Sequence, residues 1–371
     1  MRNSFIEINL NNLEHNLEQI AKHIAPAKML PIIKANAYGH GMIGIAKNLV
    51  HPSIEMLGIA YPNEGIELRE AGETRKLLII IPPEIDEIAD IIDNQIDITI
   101  GNLSCLPEIN AIAKKKHRKI KAHLYINTGM NRDGITSEEF NDFLKTYRNY
   151  DYIIWEGICS HLAASDFDDK SFSYEQIDKF KKVLELSEIA GLQFKYVHIA
   201  NSGAAASIGS AHFNLVRPGI ALHGLMPRSD YAEKLNLKPT LSLKTYIKKI
   251  NHLKKNETAG YSFRFVSKEE TNIAVIPLGY GDGFLFSLNN NAQCLIHGKR
   301  YDIVGSICMD QMFVDIKQDN INEGEQVVLI GKQGNEEITV YELAKRAKTI
   351  PYEITTSILK RLPRIFVENN V

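Results

Sequence analysis

The chain has 371 residues, with 43 lysines and arginines against 45 aspartates and glutamates, and 44% hydrophobic against 24% charged residues. A near-neutral balance gives no support to a nucleic-acid or polybasic membrane partner, and no apolar stretch reaches the roughly 20 residues of a transmembrane helix. The length exceeds one ordinary core, so two domains are expected, although a barrel can take about 250 residues alone. The opening MRNSFIEINL meets charged residues without an apolar leader core, which makes a cytoplasmic location the default expectation.

FIEINL (5–10) reads as a strand. Residues 11–24 place Leu13, Leu17, Ile20, Ala21 and Ile24 on one helical face, with Asn11 and Glu14 spaced as a capping box. From Met29 onward eight apolar runs recur: MLPII (29–33), MLGIA (56–60), KLLIII (76–81), IDITI (96–100), IKAHLYI (120–126), YIIWEGI (152–158), FKYVHI (194–199) and FNLVRPGI (213–220). Between them, segments such as EIDEIADIID (84–93) and SYEQIDKFKKVLELSEIA (173–190) carry apolar residues at three- and four-residue spacing. Runs without alternation suit strands buried on both faces. Eight strand–helix repeats in about 225 residues predict an α/β fold, a (β/α)8 TIM-type barrel rather than an open sheet.

Beyond about residue 238 the rhythm changes to alternating strands and turns: LSLKTYIKKI, TNIAVIPL, QCLIHGKRYDIVGSI, MFVDI and EQVVLIG, then one helical VYELAKRAKTI and a closing RLPRIFV. The expected organisation is a barrel domain over 1–237 and a mostly-β domain over 238–371. The first strand, about 4–10, is a candidate to pack with the second domain. Cys105, Cys159, Cys294 and Cys308 form no C-x-x-C pair, and the 12 histidines include no H-x-H or H-E-x-x-H. Buried reduced thiols and no metal site are expected.

Barrel chemistry collects where strands end. Lys34 ends the first apolar run, and Gly39 and Gly41 suit the turn that follows. A partly desolvated lysine there can lose its proton and attack a carbonyl; alternatively its stem packs while the amine reaches water. Later strands end near Arg132, His161, Asn201 with Ser202, and Arg217 with Gly219. Ser202 at a helix start and the N–H groups of Gly219 and Ile220 resemble a barrel phosphate site. An amine and a phosphate grip together point to pyridoxal 5′-phosphate.

The motifs IIKANAYGHG, NTGMNRDGI, SHLAASD, HIANSGAA, VRPGIALHGL, LKPTLSLKT, GYSFRF, IPLGYGDGF, VGSICMDQMFVDI and PYEI followed by RLPRIF resemble, in order, the motif series of the alanine racemase family, from about residue 5 to 366. The resemblance implies a pyridoxal-phosphate barrel followed by a β domain, in a homodimer whose sites take residues from both subunits. It implies interconversion of L- and D-alanine, with D-alanine supplied to peptidoglycan. Lys34 would carry the cofactor and act as one base, and the partner subunit's Tyr261 as the other. His161 and Arg217 would link that tyrosine to the cofactor ring, Arg217 facing the pyridine nitrogen.

Arg132 would hold the substrate carboxylate with Met309, through its N–H, and Asp310. Tyr38, Ser202, Gly219, Ile220 and Tyr352 would bind the phosphate, and Tyr280 and Tyr352 would narrow the entrance. Three positions depart from the family pattern. Tyr125 stands where a carbamylated lysine often holds the arginine, Asn127 where an aspartate is usual, and His223 where a tyrosine is common. Arg132 should therefore be held by another group or an anion. Rival readings are a serine or broad-specificity racemase and a non-catalytic pyridoxal-phosphate carrier. A barrel-type decarboxylase would oppose an acid, not Arg217, to the ring nitrogen.

Overall fold

The computed structural model describes residues 4–368, which fall into two compact units. The first consists of residues 14–37 and 42–238. Six strands in it, Leu57–Ile59, Leu77–Ile79, Asp97–Ile100, Ile120–Tyr125, Ile153–Cys159 and Tyr196–His198, pair in parallel in chain order. Lys28–Met29 pairs in parallel with Leu215–Val216. Bridges from Met29 to Ile54 and from Ile32 to Gly58 join it to the Leu57–Ile59 strand. The Arg217 N–H donates to the Ala200 carbonyl at 3.0 Å and joins the eighth strand to the seventh. The ring of eight parallel strands is thereby closed, one strand for each apolar run.

Helices fill the intervals. Ser137–Thr146 starts with a reciprocal cap in which the Glu139 N–H donates to Thr136 and the Glu139 carboxylate accepts from the Thr136 N–H at 2.7 Å. The first helix runs Leu10–Ile24 and buries Leu13, Leu17, Ile20 and Ile24 as its periodicity requires. Its cap differs from the expected one. The Asn9 carboxamide, not Asn11, accepts from the Asn12 N–H at 2.9 Å, because the helix begins one residue earlier than the apolar spacing suggests.

The second unit consists of the described residues up to Leu13, the segment Tyr38–Gly41 and the described residues from Pro239 onward. Its main sheet is largely antiparallel, and strands such as Leu241–Tyr246 alternate buried and half-buried positions, one face to the core. The Phe5–Asn9 strand lies between Leu241–Tyr246, antiparallel, and Arg364–Val367, parallel. Thr339 caps the helix Val340–Ala347, and Pro351–Thr356 follows it. All four cysteines are free. Cys159 and Cys294 are buried as expected, but Cys105 and Cys308 are partly exposed, since each stands in a connecting segment rather than a strand. Among the described residues no helix is long and apolar enough to cross a membrane.

Candidate active site

Lys34 opens a turn of unusual hand. Ala35, Asn36, Ala37 and Tyr38 have φ of 50, 55, 52 and 53°, a left-handed conformation that costs an L-residue roughly 1–2 kcal/mol. Three groups hold it. The Ala37 N–H donates to the Ile33 carbonyl at 2.8 Å, the Ala35 N–H to Glu64 Oε1 at 2.7 Å, and the Met42 N–H to Asn36 Oδ1 at 2.9 Å. Glu64 Oε2 also accepts from the Ala60 N–H at 2.7 Å, so one carboxylate ties the turn to the neighbouring strand's end. Burial and then the positive charge of Arg132 push the Lys34 amine below its ordinary pKa; Arg217 adds to this and Glu64 opposes it. More of the amine is thus the neutral nucleophile.

Arg217 is 7% exposed. Its Nη1 donates to His198 Nδ1 at 2.7 Å, and Nη2 to the Ser160 carbonyl at 2.7 Å, to His161 Nδ1 at 3.0 Å and to the Ile199 carbonyl at 3.1 Å. None of these bonds uses Nε. Burial and then Arg217 hold the His161 imidazole well below its usual pKa, so the ring is a neutral acceptor beside a fixed cation. Arg132 donates from Nε to Asp133 Oδ2 at 3.2 Å. Burial foremost raises the Tyr125 pKa, against the positive charges of Arg217 and Arg132, which pull the phenol toward lower pKa. The phenol therefore stays neutral and does not offset the charge of Arg132. Asn127 shapes the same loop, accepting from the Gly129 N–H at 3.0 Å and the Asn131 N–H at 3.1 Å. His223 is fully buried.

The loops after the last two barrel strands meet at Ser202, whose Oγ accepts from the Gly219 N–H at 2.9 Å. Ile220 follows Gly219 directly and opens a short helical turn, Ile220–His223. Asn201 has a local duty instead: its Oδ1 caps the helix Ser202–Ser207 by accepting from the Ala204 N–H at 3.0 Å.

In the other unit the Tyr38 and Tyr352 rings lie 6.0 Å apart. Gly39, at φ 87°, lets Tyr38 sit there, since a Cβ would come within 2.0 Å of the Thr355 carbonyl oxygen. Tyr261 is 71% exposed. It shares with Met309 and Asp310 a hollow of about 520 Å³. Asp310 Oδ1 accepts from Arg361 Nη2 at 2.6 Å, an ion pair that orients the carboxylate. Tyr280 packs edge-on against Phe286 at 6.0 Å.

The structure thus gathers Lys34, Arg132, His161 and Arg217 in one unit, together with the cluster of Ser202, Gly219 and Ile220. It gathers Tyr38 with Tyr352, and Tyr261 with Met309 and Asp310, in the other. Sequence reasoning missed Glu64 and His198. Glu64 looks like an ordinary acid in the first turn of the helix Pro62–Glu70, and His198 like a core residue of its strand.

The family model described as alanine racemase, N-terminal domain, matches residues 8–227, and that for the alanine racemase C-terminal domain matches residues 240–366. The chain belongs to the alanine racemase family. An alanine racemase of Carboxydothermus hydrogenoformans is 38% identical over 371 residues, covering 99% of this chain and 100% of that protein. Alanine racemase 2 of Caldanaerobacter subterraneus subsp. tengcongensis is 35% identical over 370 residues, 99% of this chain and 95% of the relative. The solved alanine racemase of Clostridium difficile 630 superposes with a TM-score of 0.94 at 34% identity, covering 100% of this chain and 97% of that one.

Proposed function

We propose that the protein interconverts L- and D-alanine with pyridoxal 5′-phosphate, in a homodimer whose subunits share their active sites. One observation carries the reading: a lysine pushed toward its neutral form stands among Arg132, Arg217 and His161 at the strand ends of a family barrel. The donor set fits the cofactor. Lys34 supplies the amine for a Schiff base. Ser202, the Ile220 N–H and, once turned from Ser202 Oγ, the Gly219 N–H are donors suited to a phosphate dianion, as are the phenols of Tyr38 and Tyr352, and Arg217 has Nε outside its internal bonds. Bound there, the cofactor supplies an electron-withdrawing ring that acidifies the substrate's α-hydrogen.

The chain's own residues set the rest. Arg217 has only donors and keeps its proton at neutral pH, so facing the cofactor's ring nitrogen it would favour that nitrogen unprotonated. Its role would be to moderate electron withdrawal and so favour return of the proton to the α-carbon. Racemisation needs a base on each face. Lys34 serves one, and the partner subunit's Tyr261 the other, its exposure in a single chain suiting a residue given to a neighbour's site. His161, neutral and fixed by Arg217, accepts a hydrogen bond at Nδ1 and so presents Nε2–H to that tyrosine. Arg132 receives the substrate carboxylate, with the Met309 N–H and Asp310 completing the site from the partner. Tyr280 and Tyr352 limit the side chain to one near methyl size.

Incubation of the purified protein with L-alanine and pyridoxal phosphate in deuterated water tests the proposal. Loss of optical activity together with α-deuteration is expected. Alanine that keeps both its handedness and its α-proton would overturn the assignment.

A further inference from the structure

Two histidines stand side by side on the barrel strands Ile120–Tyr125 and Tyr196–His198. His123 is wholly buried and His198 nearly so. His198 Nε2 lies 2.7 Å from His123 Nδ1, while His198 Nδ1 takes the 2.7 Å bond from Arg217. Because a guanidinium has donors only, the direction of this row is fixed. Arg217 donates into a lone pair on Nδ1, so His198 carries its proton on Nε2. That proton points at His123 Nδ1, so His123 also carries its proton on Nε2. The row ends there, for His123 Nε2 is buried without a partner among the described residues.

A buried donor without an acceptor is costly, and an apolar side chain would avoid the cost. The fold nevertheless makes room for this ring. Gly157 pairs with His123 across the two strands, and a Cβ at Gly157 would stand 2.5 Å from His123 Nδ1. Tyr196 stacks on the other side at 5.6 Å and 20°. The Tyr196 hydroxyl is itself held, donating to Glu55 at 2.6 Å and accepting from Lys76 at 3.2 Å.

We propose that His123 is a positioning residue for the reaction: through His198 it presents Arg217 with a neutral, correctly directed acceptor and so fixes the guanidinium where the cofactor ring is to lie. The consequence for turnover rests on the racemase reading; the two tautomers do not. Burial, then the cations Lys76 and Arg217, hold His123 down to about 3, and burial, then Arg217 and His123, hold His198 well below its usual value. Neither ring becomes charged where the enzyme works. Without the acceptor on His123, the His198 Nε2–H is buried without a partner, and that cost works against the tautomer Arg217 requires, favouring a proton on Nδ1 where it opposes the N–H groups of Arg217.

The test uses the full-length protein loaded with pyridoxal phosphate and labelled with 15N-histidine. Both rings should read as neutral Nε2–H tautomers between about pH 6 and pH 9. His123→Phe keeps the ring shape but removes the acceptor. It should mix the His198 tautomers and lower kcat about tenfold with KM within about twofold, and His123→Asn, which keeps an acceptor near the Nδ1 position, should recover most of the loss. A cooperatively folded His123→Phe protein with wild-type kcat would overturn the proposal, as would a charged or Nδ1-protonated His123 in the wild type. Should His123→Phe fail to fold, the wild-type tautomers decide alone. If the wild-type protein leaves alanine unchanged, the racemase reading fails, and the tautomer measurement still judges the pair.

Discussion

Arg132 is half-exposed; the Asp133 carboxylate holds it at 3.2 Å, and the Tyr125 phenol interacts with it electrostatically. Only the second reaches it from a barrel strand, Ile120–Tyr125. Removing the phenol should loosen the arginine more than it weakens the fold. Tyr125→Phe is expected to raise KM for alanine about fivefold, roughly 1 kcal/mol of polar interaction with Arg132, with a smaller change in kcat. Steady-state kinetics in both directions would check this, and an unchanged KM would mean that Asp133 alone positions Arg132. The burial that raises the Tyr125 pKa also gives the prediction a pH signature. The phenol stays protonated through neutral and mildly alkaline pH, so the ratio of mutant to wild-type KM should be flat there.

At the level of elements, the strand Asp97–Ile100 carries a different kind of tension. Asp97 is 8% exposed and Oδ2 has no hydrogen-bond partner among the described residues. Burial and then the negative charge of Glu156 raise its carboxyl from 3.8 to about 7, against the pull of Lys121, Lys76 and Arg69. The folded state therefore keeps a proton that the unfolded chain has already released. Stability linked to this proton is complete below about pH 4 and is lost as pH rises through about 7, a difference of at most roughly 4 kcal/mol. Asp97→Asn, neutral throughout, should melt at a higher temperature than the wild type at pH 8 and show a flatter dependence of Tm on pH between 4 and 8. Equal slopes in the two proteins would remove Asp97 as the cause. The elements also differ in how far the sequence discloses them. Doubly buried strands declare themselves as unbroken apolar runs, and the residues ending them, Lys34, Arg132, His161 and Arg217, stand out as charges after apolar stretches. The left-handed turn after Lys34 gives no such sign, because its positive φ values begin four residues before the first glycine and depend on a distant carboxylate, Glu64. His123 and His198 sit inside apolar runs and look like ordinary core. The hollow around Tyr261 joins segments nearly fifty residues apart, so only the family motifs pointed to it.

For the whole molecule, the central question is whether one chain can complete a site with its own residues. Lys34 belongs to one compact unit and Tyr261 to the other, and Tyr261 is largely exposed within its own chain. If each site takes Lys34 from one subunit and Tyr261 from its partner, Lys34→Ala and Tyr261→Phe damage sites in different ways. In a hybrid dimer of the two variants, one site receives both substitutions and the other receives neither. Random reassociation of equal amounts makes half the dimers hybrid, each with one intact site of two, so about a quarter of wild-type activity should return from two nearly inactive preparations. The measurement is turnover after co-expression with two different affinity tags; purification through both isolates the hybrids alone, whose activity should rise to about half that of the wild type. If each chain instead supplied Lys34 and Tyr261 to the same site, every site in the hybrid would lack one base and no activity would return. Hybrid dimers that stay inactive therefore contradict the shared site directly, even where each variant alone behaves as the two-base scheme requires.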